Sequence, residues 1–114
     1  MSAAEWSIDE ISGGGVVVAV RGDFDLAAER SFVDTVDSLV VDGDGEREVE
    51  LDLAGVEFMD SSGVRALIEL RHRHRSRIRL GELSEPVRAL FVTAGVLEWL
   101  TGDDGAVGSD GDRR

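Results

Sequence analysis

The sequence predicts an α/β fold: a single domain with a mixed, mostly parallel sheet, an N-terminal hairpin and helices packed on it. Three observations carry this. Strand-like and helix-like runs alternate along most of the chain, which implies right-handed crossovers between parallel strands. The first two strand-like runs are separated only by Ser12-Gly13-Gly14-Gly15, too short for a crossover and suited to a hairpin turn. The length of 114 residues is that of one domain and suffices for one buried core.

Each element has its own signal. Trp6 to Ile11 alternates partially and reads as an edge strand. Val16-Val17-Val18-Ala19-Val20 is β-branched at every position but Ala19 and reads as a strand buried on both faces. Asp25 is a candidate N-cap, and Phe32, Val36, Leu39 and Val40 then recur at helical spacing until Asp42-Gly43-Asp44-Gly45 stops the helix. Val49 to Leu53 alternates cleanly as a strand. Asp60-Ser61-Ser62-Gly63 opens a second helix with Val64, Leu67 and Ile68 inward, Arg71 at the margin of that face, and a basic end, Arg71 to Arg75. Ile78-Arg79-Leu80 is a short strand. Ser84-Glu85-Pro86 starts a third helix, with Val87, Leu90, Phe91 and Ala94 as its apolar stripe and Gly95 as its stop. Val96 to Leu100 is expected as a last strand, giving the order β-β-α-β-α-β-α-β. The domain is expected over residues 1–101, with residues 102–114 a flexible acidic tail.

Composition excludes several functions. The absence of cysteine removes disulfides, thiolate zinc sites and thiol catalysis. The basic residues are all arginine, and without lysine there is no Walker-A phosphate loop, protein-kinase strand lysine, Schiff-base lysine or receiver-domain lysine. A net charge of −12 opposes nucleic-acid and anionic-membrane binding and favours a basic protein partner. The apolar runs are too short to span a bilayer, and the first residues lack the layout of a secretory signal; a cytoplasmic location without membrane insertion is expected. Neither a cofactor nor a metal is expected.

In a sheet of this type the strand-to-helix loops gather at one edge. That places Asp23, Asp25, Asp60, Ser61 and Ser62 in one neighbourhood. Each has an ordinary structural role, as a turn or capping residue. Clustered carboxylates also suit a metal or acid–base site, but no Lys or His lies near them in sequence, and turn formation with partner recognition fits better. The segment Arg71-His72-Arg73-His74-Arg75-Ser76-Arg77 complements a helix C-terminus, and either meets an acidic partner or forms an intramolecular ion network. His72 and His74 are two residues apart and do not share a helix face, which disfavours metal binding.

The run Leu51-Asp52-Leu53-Ala54-Gly55-Val56-Glu57-Phe58-Met59-Asp60-Ser61-Ser62-Gly63-Val64 closely resembles the signature of STAS domains, in particular bacterial anti-sigma factor antagonists. Gly22-Asp23-Phe24-Asp25 is similar to the family's Gly-Glu-Leu-Asp loop, and Pro86 to Leu90 with Thr93 to Val96 is similar to its third helix. The resemblance covers roughly residues 5 to 101. It implies a STAS-like domain without enzymatic activity of its own. It also implies a partner, an anti-sigma factor serine kinase, which binds the unphosphorylated antagonist and releases it by phosphorylating Ser61, and a phosphatase that restores phospho-Ser61 to serine. The ATP and magnesium belong to the kinase. The partner-binding surface is then expected at Asp23, Asp25, Asp60, Ser61, Ser62, Gly63, Val64 and Arg65. Two positions depart from the family pattern: Asp23 stands where Glu is usual, and Arg65 where Gly is frequent. An arginine in the first helical turn could reach a phosphate on Ser61 and partly neutralise it. Two alternatives belong to other classes: a constitutive scaffold or accessory STAS subunit of a signalling or transporter complex, and a nucleotide-sensing module using the acidic loops or the arginine-rich helix end.

Overall fold

The computed structural model describes residues 3–41 and 47–102. Strands β1 (Glu5–Glu10), β2 (Val16–Phe24), β3 (Val49–Met59) and β4 (Ile78–Leu83) form one sheet in the order β1-β2-β3-β4. Helices α1 (Leu26–Val41), α2 (Ser61–His74), α3 (Glu85–Ala94) and α4 (Leu97–Thr101) complete the domain. β1 is antiparallel to β2, and β2, β3 and β4 run parallel. This is the mixed, mostly parallel sheet with an N-terminal hairpin that the sequence predicts. A short 3-10 turn, Ser12–Gly14, closes the hairpin. The expected helix stop at Asp42–Gly45 and the expected tail beyond Gly102 lie outside the described residues.

Register explains the core. Val16 lies opposite Val49, Val18 opposite Leu51, and these in turn oppose Ile78 and Leu80. Residues directly opposite share a face, so the rungs form one apolar surface. Phe32, Val33, Val36 and Val40 of α1, Leu67 and Leu70 of α2, Val87 and Phe91 of α3 and Leu100 of α4 join it in a single buried cluster. Phe32 meets Trp6 edge-on at 5.3 Å and Phe24 at 5.0 Å. The other sheet face is different. Val17 and Ala19 are only half-buried, and their partners on β3 are Glu50 and Asp52. The expectation that Val16–Val20 is buried on both faces is therefore corrected: polar rungs border Val17 and Ala19, so the strand has one core face and one half-open face.

The second correction concerns the end of the domain. Val96–Leu100 is not a strand; Leu97–Thr101 is a short helix. Gly95 adopts a left-handed conformation (φ 75°) as the cap of α3 and turns the chain back. A helical turn then carries Leu100 into the core while Glu98 faces solvent, and the Leu100 amide donates to the Val96 carbonyl at 2.9 Å. Alternation would instead have placed Glu98 and Leu100 on the same side.

Arg71 holds this helix end. It is 2% exposed, and its guanidinium Nη1 donates to the carbonyls of Ile78 (2.7 Å) and Leu100 (3.4 Å), and its Nη2 to that of Gly102. The last carbonyls of a helix lack intrahelical donors, and a buried arginine supplies them. The inward margin of α2 is thus completed by a cation rather than an apolar residue. Arg71→Met should lower the unfolding free energy by about 2–3 kcal/mol, the cost of orphaning buried hydrogen-bonding groups. Urea denaturation followed by circular dichroism measures it.

Candidate functional site at the β2 and β3 ends

β2 and β3 are parallel, so both end at the same edge of the sheet. Asp23 lies opposite Phe58 and Phe24 opposite Met59, and the Asp60 amide donates to the Phe24 carbonyl at 3.4 Å. Each strand then enters a helix immediately. Asp25 caps α1, its carboxylate accepting from the Ala27 amide at 3.1 Å. Asp60 caps α2 in the same way, accepting from the Ser62 amide at 2.9 Å. Two helix N-termini therefore face one edge, and the positive ends of their dipoles sit against the two capping carboxylates.

The signature residues divide by depth. Ser61 is the first residue of α2 and is exposed. Ser62 is 5% exposed, and Gly63 and Val64 are also buried. Asp23 is 8% exposed, Asp25 and Asp60 are half-buried, and Arg65 is exposed. The structure thus brings Asp23, Asp25, Asp60 and Ser61 to one edge and turns Ser62, Gly63 and Val64 inward. Gly63 has a packing reason for being glycine. A Cβ there would lie 2.4 Å from Met59 Cγ and 3.0 Å from Phe24 Cδ1. Its small size makes room for the core beneath the helix start.

Arg65 does not point to an unoccupied neighbour. Its Nε lies 3.3 Å from Glu29 Oε2 on α1. Two helical turns further on, Arg73 pairs with Asp37 of α1 and Glu69 of its own helix, and His74 Nε2 lies 2.6 Å from Asp37 Oδ1. The basic end of α2 is therefore built partly into an ion network with α1 and, through Arg71, into the core. An open groove of about 480 Å³ along α2 is lined by Arg65, Ile68, Glu69, His72 and Arg73. Both lining arginines, Arg65 and Arg73, are already engaged by carboxylates. Among the described residues no group of three or more His, Asp or Glu could hold a metal ion.

Sequence reading missed three features. Phe58 is 48% exposed and Leu26 66% exposed, both beside the carboxylates at this edge. Strand alternation held the signal for Phe58, since it and Met59 cannot face the same side. The pairing of Glu29 with Arg65 spans 36 positions and has no local signature.

The profile of the family described as "Mlab, STAS domain" matches residues 9–101. The chain belongs to the STAS domain family. Solved structures agree on the fold. The anti-sigma factor antagonist SpoIIAA in its unphosphorylated form superposes with a TM-score of 0.66 at 22% identity, over 81% of this chain and 82% of that one. An anti-sigma factor antagonist from Mycobacterium paratuberculosis superposes with a TM-score of 0.73 at 19% identity, over 87% of this chain and 83% of that one. The murine anion transporter Slc26a9 contains a region of the same fold, with a TM-score of 0.63 and 19% identity over 86% of this chain and 19% of the transporter. A comparison with curated protein sequences gives no match. Among the described residues no helix of this STAS domain is long and apolar enough to cross a membrane.

Two outcomes follow from the site's construction. Asp60→Ala should cost about 1 kcal/mol of stability, whereas Asp60→Asn, which keeps a capping oxygen, should cost a few tenths at most; chemical denaturation of the two variants separates capping from charge. Gly63→Ala should destabilise by about 1–2 kcal/mol, because overpacking against Met59 and Phe24 outweighs the gain in helix propensity. A thermal melt of this variant shows the direction.

Proposed function

We propose that this STAS domain is an anti-sigma factor antagonist that binds an anti-sigma factor serine kinase and is switched off by phosphorylation at Ser61. One observation carries the proposal: of the paired serines in the signature, Ser61 is exposed and Ser62 is buried. A kinase approaching this edge meets the Ser61 hydroxyl alone. The similarity of fold to two anti-sigma factor antagonists supports the same reading.

The chemistry suits the position. In the kinase's active site the Ser61 oxygen attacks the γ-phosphorus of ATP, ADP leaves, and the hydroxyl proton passes to the kinase. The product phosphate sits at the first residue of a helix, where the dipole favours an anion, so modification need not unfold the domain. It adds about −1.5 to −2 of charge. That charge lands beside Asp60, which caps α2, and at the edge that also carries Asp23 and Asp25. A partner surface fitted to a neutral hydroxyl then meets a dianion, and a desolvated like-charge contact of several kcal/mol corresponds to about a thousandfold loss of affinity. A phosphatase removes the phosphate and restores binding. Asp25 and Asp60 present acceptors to a basic partner, Asp23, only 8% exposed, adds negative charge to the same edge, and Leu26 and Phe58 add apolar contact area. The domain itself catalyses nothing in this scheme, and the exchange takes place in the cytoplasm.

The second reading is a constitutive accessory subunit. It is favoured by the occurrence of this fold within the anion transporter Slc26a9. The two readings differ in one measurable property. In a titration with the serine-kinase anti-sigma factor of the same organism, Ser61→Ala should bind as wild type does and resist ATP-driven release. Ser61→Asp should bind at least tenfold more weakly. Equal binding of both variants, or phosphate appearing on another residue by mass spectrometry, would remove the switch and leave the accessory reading.

A further inference from the structure

We infer that Arg65 is the internal receptor for a phosphate on Ser61, and that Glu29 competes with that phosphate for it. The inference rests on the reading of Ser61 as the phosphoacceptor and adds a device that couples the modification to α1.

Ser61 and Arg65 are four residues apart on α2. Such positions are neighbours on a helix surface, with Cβ atoms about 5–6 Å apart. Arg65 is the cation within one turn of Ser61 on this helix; Arg73 lies two turns beyond it and is tied to Asp37 and Glu69. In the unmodified protein Arg65 is held sideways by Glu29 across the α1–α2 contact, Nε to Oε2 3.3 Å. The two partners are unequal: the Arg65 side chain is 60% exposed and that of Glu29 only 15%. A mostly solvated guanidinium is weakly held and free to change partner. A phosphate offers about −1.5 to −2 of charge and three acceptor oxygens against the single charge of a carboxylate, and it pairs bidentately with a guanidinium. It also lies on the same helix as Arg65, so the exchange needs only a rotamer change.

The exchange has a consequence away from Ser61. The α1–α2 contact has two ionic stations eight residues apart on each helix: Glu29 with Arg65, and Asp37 with Arg73 and His74. Phosphorylation releases the first and leaves the second. The released station is the one nearer the cap residues Asp25 and Asp60, and Glu29 is left half-buried without its cation. The modification thus reaches the first turn of α1 as well as its own helix, and the charge at Ser61 is partly neutralised from within.

The test uses the full chain with phosphoserine installed at position 61 by genetic encoding, so that no kinase or partner is involved. A phosphorus NMR titration reads the second ionisation of the phosphate, which lies near pH 6 in an unperturbed phosphoserine. Arg65→Gln should raise it by about half a pH unit, a threefold change in proton affinity. Glu29→Gln should lower it, and that effect should largely vanish when combined with Arg65→Gln, the mark of competition rather than of simple charge removal. The Arg65 Nε–H resonance should shift between the serine and phosphoserine forms. An ionisation unchanged by Arg65→Gln, or a stationary Arg65 resonance, would overturn the inference. So would a Glu29→Gln effect that persists in full without Arg65, which would show that the two do not compete. Failure of the antagonist reading would appear instead as undiminished partner binding by Ser61→Asp, a different measurement on a different complex.

Discussion

The parallel pairing of β2 with β3 is the constraint on which the rest of this domain depends. Because the two strands run the same way, their C-terminal ends and the helices that follow meet at one edge. Without that pairing, Asp25 and Asp60 would be two unrelated N-caps in distant parts of the sequence. With it, two helix N-termini and their capping carboxylates lie side by side, and Ser61 stands exposed between core and solvent. The pairing is stable because the apolar rungs Val16–Val49 and Val18–Leu51 bury the side of the sheet that the helices cover. The site is therefore a consequence of core formation.

Charge is used in two ways in this chain. The bulk of the surface is acidic, with a net charge of −12. Several arginines have structural duties within that field. Arg71 is fully desolvated and exchanges water for the carbonyls of Ile78, Leu100 and Gly102, which docks α4. Arg65 and Arg73 cross from α2 to carboxylates of α1. Exposed ion pairs of this kind contribute little to stability individually. Their value lies in register and in the ease with which an added charge rearranges them. A phosphate at the start of α2, as proposed for Ser61, would act on such pairs, because the helix dipole favours an anion there.

Depth within the signature separates its residues by role. Asp60 caps, Ser61 is presented, and Ser62, Gly63 and Val64 pack. Gly63 yields its side-chain space to Met59 and Phe24, so the strand that precedes the helix can close over its first turn. A short run of sequence thus combines a structural start, an accessible hydroxyl and a core contact. Each part is chemically ordinary. Their combination at one strand end is what makes a modification there both accessible and compatible with folding.

Local patterns in the sequence determined the hairpin, the starts of β2, β3 and β4, the caps at Asp25, Asp60 and Ser84, the stop at Gly95, the inward faces of α1 and α2, and Val87 and Phe91 on that of α3. These follow from periodicity and backbone chemistry, which act over a few residues. Ala94, expected in the same stripe of α3, is exposed, and β3 continues past Leu53 to Met59. The signature itself pointed to Ser61 and to the neighbouring carboxylates. Only the tertiary structure decided what depended on distant partners. Val96 to Leu100 holds apolar residues compatible with a strand or a helix, and the core position of Leu100 together with the Arg71 guanidinium selects the helix. Val17 and Ala19 look like core residues until Glu50 and Asp52 are placed beside them. Ser61 and Ser62 are chemically identical in sequence, and the packing of α2 alone exposes one and buries the other. Arg65 stands about one helical turn from Ser61, but the partner it holds is Glu29, brought to it by the packing of α1 on α2. Burial and long-range pairing arise from the whole chain's collapse, so no local window of sequence encodes them.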